Sequence, residues 1–292
     1  MKKLATVIAA ITLIGTPAFA ADMALKAPPP APAPVPTWTG FYGGIQVGGG
    51  WSDEAVNYSA NDPGAAALLS GTLGFSGEQP LANYRTPQSG PVGGIEAGYN
   101  WQAGPNWVLG FETDFSGSGI SGHGSATSLV NAPFAVTTTA AQSTDWYGTI
   151  RGRAGWLATP NLLVFGTGGF AYGSVADSAN FTSTGGFTFS GGGFAFSCVA
   201  GAPCFAGSSS TTKTGWTAGG GLEWRGLWLD PHMSFKIEYQ FVDLGTETVR
   251  LQGTPCPPTV CTIGGPFIAS SFNAAFHNQF NVVRVGLNYQ FH

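Results

Sequence analysis

The chain has 292 residues, of which 9% are charged and 43% hydrophobic, with 45 Gly and a formal charge of −4. Soluble domains carry roughly 25% charged residues, so this scarcity argues against a surface solvated all round, and the acidic balance excludes a nucleic-acid partner, which needs a basic patch. Abundant glycine penalises helices, and beyond the N-terminus no run reaches the ~18 apolar residues of a membrane helix.

Lys2 and Lys3 form a positive start, LATVIAAITLIG an apolar stretch, and Ala18-Phe19-Ala20 a small-x-small cleavage site. Residues 1–20 are predicted to be a secretory signal peptide. The alternative, an N-terminal anchor helix, is too short to span a bilayer. Without Lys2 and Lys3 the 11 basic residues fall to nine against 15 acidic ones, a formal −6 for the exported chain. Residues 21–37 hold the tract APPPAPAPVPT, a polyproline-like periplasmic lead. Residues 38–292 make the folded domain.

Eight segments then alternate with period two: 40–51, 91–102, 107–116, 144–157, 162–173, 213–225, 233–243 and 279–291. Their length suits tilted membrane strands, which need about 9–11 residues in the bilayer, better than soluble strands of about five or six. The connections alternate too. Short turns (AGPN, ATPN, GLWLDPH) follow the second, fourth and sixth segments, and long loops (52–90, 117–143, 174–212, 244–278) follow the others. The predicted fold is all-β: an eight-stranded antiparallel transmembrane outer-membrane β-barrel with long extracellular loops, short periplasmic turns and both termini in the periplasm.

Parity assigns the faces. Phe41, Ile45 and Val47, Ile95, Ala97 and Tyr99, Leu109, Phe111 and Phe115, Ile150 and Ala154, Leu222, Val283, Val285 and Leu287 fall on one face. The same face takes Trp51, Trp101, Trp107, Trp146, Trp156, Trp216 and Trp224 near the strand ends, where indole rings meet a lipid–water boundary. The opposite face carries Glu96, Glu112, Asp114, Glu223 and Glu238 with Arg151, Arg153, Arg225, Lys236 and Arg284, interspersed with Gln46, Tyr147, Asn281 and Asn288. Isolated charges in a narrow interior are costly, so five acids and five bases are expected to pair as a balanced network filling the lumen. A soluble lipocalin-type barrel would need the reverse, and ten strand charges are too few to solubilise eight long strands. Gly-rich FGTGGFAYG in the fifth segment fits either face. Cys198 with Cys204 and Cys256 with Cys261 are the sequence-local disulfide pairing in an oxidising compartment, and free loop thiols are the alternative.

WTGFYGG (Trp38–Gly44), followed by Gly48 and Trp51 after a Pro-rich lead, resembles the first strand of the alphaproteobacterial outer-membrane proteins of the Omp25/Omp31/RopB type. FGTGGFAYG and EYQFVDLG resemble later strands of that family. Arg284, Gly286, Tyr289 and Phe291 resemble the signal read by the outer-membrane assembly machinery, with the departure that His292 follows Phe291. The resemblance covers essentially the whole exported chain. It implies a small surface-exposed barrel, at times described as porin-like, with no catalytic residue set to carry over.

Chemistry-bearing patterns are few. No H-E-x-x-H, G-x-S-x-G or G-x-x-x-x-G-K-[ST] occurs. Gly166-Thr167-Gly168-Gly169-Phe170-Ala171 matches a dinucleotide G-x-G-x-x-A only in letters, since it lies in a strand with no βαβ unit around it. His123, His232, His277 and His292 lack metal-ligand spacing. Ser121, His123 and His277 fall in predicted outer loops, and a lipid-acting barrel enzyme is the third reading. The first is a structural barrel with roles in envelope integrity and surface interaction, non-enzymatic and without cofactor or metal. The second is a porin-like channel, limited because eight strands leave an interior just wide enough for side chains. Expected partners are outer-membrane lipid and lipopolysaccharide, the assembly machinery, and peptidoglycan or surface ligands.

Overall fold

The computed structural model describes residues 37–69, 84–129, 135–191, 193–226, 230–255 and 268–291. The expected signal peptide, nearly all of the Pro/Ala lead, Cys256, Cys261 and His292 lie outside the described residues.

In chain order the elements are β1 (Gly40–Ala60), α1 (Pro63–Leu69), β2 (Tyr84–Ala103), β3 (Trp107–Leu129), β4 (Ala135–Thr159) and β5 (Leu162–Ser183). The short β6 (Phe187–Gly191) and β7 (Phe194–Cys198) follow, then β8 (Pro203–Arg225), β9 (Met233–Gly253), the two-residue β10 (Ile268–Ala269) and β11 (Ser271–Phe291). The eight long strands pair antiparallel, each with its neighbours, and β11 closes the ring on β1, with Phe41 opposite Phe291 and Trp51 opposite Asn281. Closure removes every free sheet edge, which hydrocarbon would not tolerate.

At the short-turn end all eight expected strand limits lie within two residues of those observed. Gly104, at φ +85°, supplies the left-handed residue of the β2–β3 turn. The other end differs. Each strand runs seven to thirteen residues past its expected limit, so most of the stretches expected as long loops are wall. Hydropathic alternation requires one greasy face. Beyond the aromatic band the outward residues turn small and polar, Ser and Thr replace aromatics there, and the alternation fades while the hydrogen-bond ladder continues.

Two strands slip by one residue where they leave the apolar band. In β4 the register shifts between Thr144 and Trp146, and the buried positions change from Gln142 and Thr144 to Tyr147 and Thr149. In β9 the inward set changes from Val242 and Leu244 to Val249 and Leu251 around Gly245, at φ +78°. Such bulges re-aim the side chains beyond them. Above the mouth, β6 pairs with β7 and β7 with β10 in a small separate sheet. Its Phe196 and α1's Ala65 are buried in one cluster with the wall residues Phe181, Phe205 and Phe272. The loop after β5 is thus folded over the barrel, and a disulfide between Cys198 and Cys204 ties it to β8.

Candidate functional site

The outer face is the first half of the site. Trp101, Trp107, Trp156 and Trp224 are exposed at the short-turn end. Trp51 and Trp216 are exposed and Trp146 half-buried farther along their strands. These three stand mid-strand rather than at strand ends as expected, because the strands continue past them. Trp146 to Trp156 spans ten residues and Trp216 to Trp224 eight, which at ~3.3 Å per residue and a tilt of ~40° is about 20–25 Å of height. That matches an apolar band of about 25 Å between two girdles. The remaining outward set, Phe41, Ile45, Ile95, Phe111, Ile150 and Val283 among them, is exposed within this band. The girdles are braced by ring pairs, Trp146 with Phe115 at 5.5 Å and Trp216 with Phe241 at 5.3 Å. Tyr289 and Phe291 of the expected assembly signal face outward on β11, 5.4 Å apart, while Arg284 is buried inside.

The inner face is the second half, and the ten charges expected in the lumen all lie there, none more than 4% exposed. Arg151 bridges Glu112 and Glu238, reaches Asp114 at 3.0 Å and donates to Thr167 Oγ1 at 3.1 Å. Arg284 spans Glu238 at 2.9 Å and Asp114 at 3.2 Å. Lys236 bonds Glu96 and lies 3.2 Å from Glu112 and 3.3 Å from Glu238. The carboxylates of Glu96, Glu112 and Glu238 converge within 4.8 Å, and the Lys236 ammonium sits between them, so the chain supplies its own cation there. Arg153 pairs with Glu223, which also accepts from Ser234. Tyr42 donates to Glu112 at 2.6 Å. A side chain at Gly98 would bring its Cβ within 2.6 Å of the Tyr42 ring, so only glycine fits opposite that phenol.

Two sequence expectations need correction. Arg225 is inside but forms no ion pair among the described residues. Its guanidinium donates to Thr37 O at 2.6 Å and to Gln290, and lies 4.1 Å from the Trp38 ring centroid. The connected network therefore holds five carboxylates and four cations, not a balanced five and five, and Glu96 Oε1 is its one oxygen without a hydrogen bond. Asn281 faces outward, accepting from Tyr239 at 2.6 Å, because it shares the parity of Val283. The ambiguous fifth strand, β5, now has its parity: Val164 and Phe170 out, Leu163, Phe165 and Thr167 in. Phe165 stacks beneath Arg153, at 4.0 Å.

Along the axis the filling is layered, and the inward positions of β5 read it off: Leu163, Phe165, Thr167, Ala171, Val175, Asp177, Ala179 and Phe181. The short-turn end is closed by an apolar layer of Trp38, Val108, Leu157, Leu163 and Phe165. The ion network follows. A second apolar layer comes next, with Val92, Ile120, Tyr147, Val175, Val242 and Phe280 among its members. Above it lies a polar layer, in which Gln142 accepts from Thr86 at 2.5 Å and Asn278 donates to Asp177 at 3.0 Å. The third apolar layer is the aromatic cluster under the cap. Burial pushes the Asp177 carboxyl up to about 6, against the bonds from Asn278 and Gln142.

Sequence reasoning missed Trp38, whose indole donates to Pro160 O at 3.2 Å and plugs the short-turn mouth. Its even parity, shared with inward Tyr42, was the available signal. Asp177 was missed because its stretch was assigned to a loop. Ser121 and His123 share the outer face of β3. His277 is on β11, with Asp243 at 3.6 Å. Two strands separate them, about 14 Å, so no catalytic grouping forms.

A model of the outer membrane protein β-barrel domain matches residues 6–291. The chain belongs to that family. Among its relatives, the 31 kDa outer-membrane immunogenic proteins of Brucella melitensis and Brucella suis are each 33% identical over 282 residues, covering 96% of this chain and 95% of theirs. The 22 kDa outer membrane protein of Rhizobium leguminosarum is 29% identical over 212 residues, covering 72% of this chain and 66% of its own. Among solved structures, OprG of Pseudomonas aeruginosa aligns over 87% of this chain and 97% of its own, with 10% identity and a TM-score of 0.39. The lineage expected from WTGFYGG and the C-terminal strand is thus the one found, and the barrel is an outer-membrane protein.

Proposed function

We propose that this outer-membrane barrel is a closed structural element of the envelope, one that anchors itself in the lipid and presents its capped end to the cell exterior. The observation that carries this reading is the filled lumen: three apolar layers interrupt the described interior, and apolar constrictions close a pore by dewetting it. The short turns and both ends of the described chain belong on the periplasmic side, the arrangement usual for such barrels. The outer-membrane assembly machinery would read Arg284, Gly286, Tyr289 and Phe291, and any peptidoglycan contact would fall to the Pro/Ala lead. The Brucella relatives are named as immunogenic proteins, which accords with a surface-displayed, non-enzymatic role for this chain.

Single-channel recording in planar bilayers tests the proposal against the porin-like alternative. Folded protein is expected to leave the bilayer silent. Reproducible unitary conductance steps at neutral pH would overturn the closed-barrel reading.

A further inference from the structure

Above the outer girdle, the outward face of β3, β4, β5 and β8 changes character. The row nearer the membrane runs Ser121, Ser143, Ala176 and Ser210, paired strand to strand. Two residues farther on, the next row runs His123, Ala141, Ser178 and Ser208. Between the rows the floor is the paired backbone of residues 122, 142, 177 and 209. The result is a trough of about 920 Å³ that runs around the wall and reaches Pro87 on β2. Five strands at ~4.8 Å spacing make it about 19 Å long, and two residues of rise make it about 7 Å across.

Three properties narrow its occupant. First, no Asp, Glu, Lys or Arg stands in either row. Charge stands at the trough's two ends, the Arg85–Asp53 pair just beyond Pro87 on β2 and exposed Arg250 on β9, which pairs with β8. Along the trough's length a polyanion would find no Lys or Arg. Second, the hydroxyls of Ser121, Ser143, Ser178, Ser208 and Ser210 take no hydrogen bond from other described residues, whereas farther up Thr127 bonds Thr137 and Thr139 bonds Asn180. An acyl chain would strand these donors and acceptors. Third, the trough continues the lipid-facing surface. It lies three to eight residues beyond Trp146 and Phe115, about 10–26 Å along tilted strands, where the sugars of an outer-leaflet glycolipid stand.

We propose that this trough is a docking surface for the neutral saccharide portion of the surrounding outer-leaflet glycolipid. Small walls admit the pyranose rings, free hydroxyls exchange hydrogen bonds with the sugar hydroxyls, and backbone forms the floor. The placement rests on the capped end facing outward, but the chemistry does not.

The test offers the sugar free in solution to the whole folded protein in detergent. The probes are lipid-free neutral oligosaccharide cleaved from lipopolysaccharide and a heparin-like sulfated oligosaccharide, read by saturation-transfer NMR and titration. Wild type is expected to bind the neutral probe, and Ser178→Trp and Ser210→Trp, which fill the trough from opposite walls, to weaken it at least about tenfold, ~1.4 kcal/mol. Both variants replace outward side chains and should keep the heat-modifiable mobility of the folded barrel in SDS. Absent binding, unchanged binding in the folded Trp variants, or binding of the sulfated probe alone would each overturn the proposal. None of these results bears on bilayer conductance, so the closed-barrel reading stands or falls separately.

Discussion

The lower and upper halves of this barrel share strands and hydrogen-bond ladders but obey opposite rules of side-chain chemistry. Between the girdles the outside is aromatic and aliphatic while the inside holds nine paired charges. Above them the outside is small or polar, rich in Ser, Thr and Ala, and the inside ends in a phenylalanine cluster. The medium outside decides the first difference, lipid below and water above. The second follows from what each half must bury. Below, the apolar residues are committed to lipid, so the lumen is filled by long charged side chains that satisfy one another. Above, the apolar residues are free to go inside, and they make an ordinary core.

The largest expected effect is in the lower lumen. Arg151→Ala leaves Glu112, Glu238 and Asp114 short of a shared cation, and breaking a buried pair costs about 3–5 kcal/mol. The temperature at which the SDS-resistant form unfolds should fall accordingly. A variant matching wild type would mean that the network does not hold the lower half together.

The boundary between halves is sharpened by one substitution made twice. Ile150→Lys places a cation on the lipid face and should cost about 2–4 kcal/mol. Thr137→Lys, outward on the same strand but above the girdle, should stay within about 0.5 kcal/mol. Comparable penalties in lipid-vesicle unfolding titrations would erase the boundary.

In the upper lumen Asp177 adds a pH dependence. Its folded carboxyl titrates at about 6, above its ordinary value of 3.8, so the folded state holds a proton that the unfolded chain releases. Stability should therefore be greatest below about pH 4 and fall as pH rises through about 6, by up to about 3 kcal/mol. Asp177→Asn should abolish that slope and stabilise the barrel at pH 7. An unchanged slope in unfolding titrations from pH 4 to 8 would exclude Asp177 as its origin. Smallest is the clasp of the cap. Reducing Cys198–Cys204, which closes a short loop, should cost about 2 kcal/mol and raise protease cleavage near residues 184–202 without loosening the lower half.

How much of this was legible in the sequence follows the same divide. Where lipid imposes alternation, the eight strands, the short-turn limits and the face of nearly every residue could be read directly. Asn281 was misplaced only by departing from the parity of its own strand. Where water replaces lipid, the pattern fades although the ladder goes on, so the strand extensions read as loops and Asp177 and the trough were invisible. Arg225 shows a further limit: parity puts a side chain inside but does not choose its partner, and Trp38 took this one. The cap needed tertiary contacts of Phe196 and Phe205 that no periodicity announces.

The central claim is a lumen sealed by apolar layers around a dry ion network, and thiol labelling tests it most directly. Thr149 sits within that network, fully buried and donating to Asp114 at 2.5 Å. In a chain with Cys256 and Cys261 replaced by Ser, a charged water-soluble maleimide should leave Thr149→Cys unmodified in the folded barrel while it labels Thr137→Cys readily. Labelling of Thr149→Cys at the rate seen for Thr137→Cys would show open water through the barrel and contradict the account.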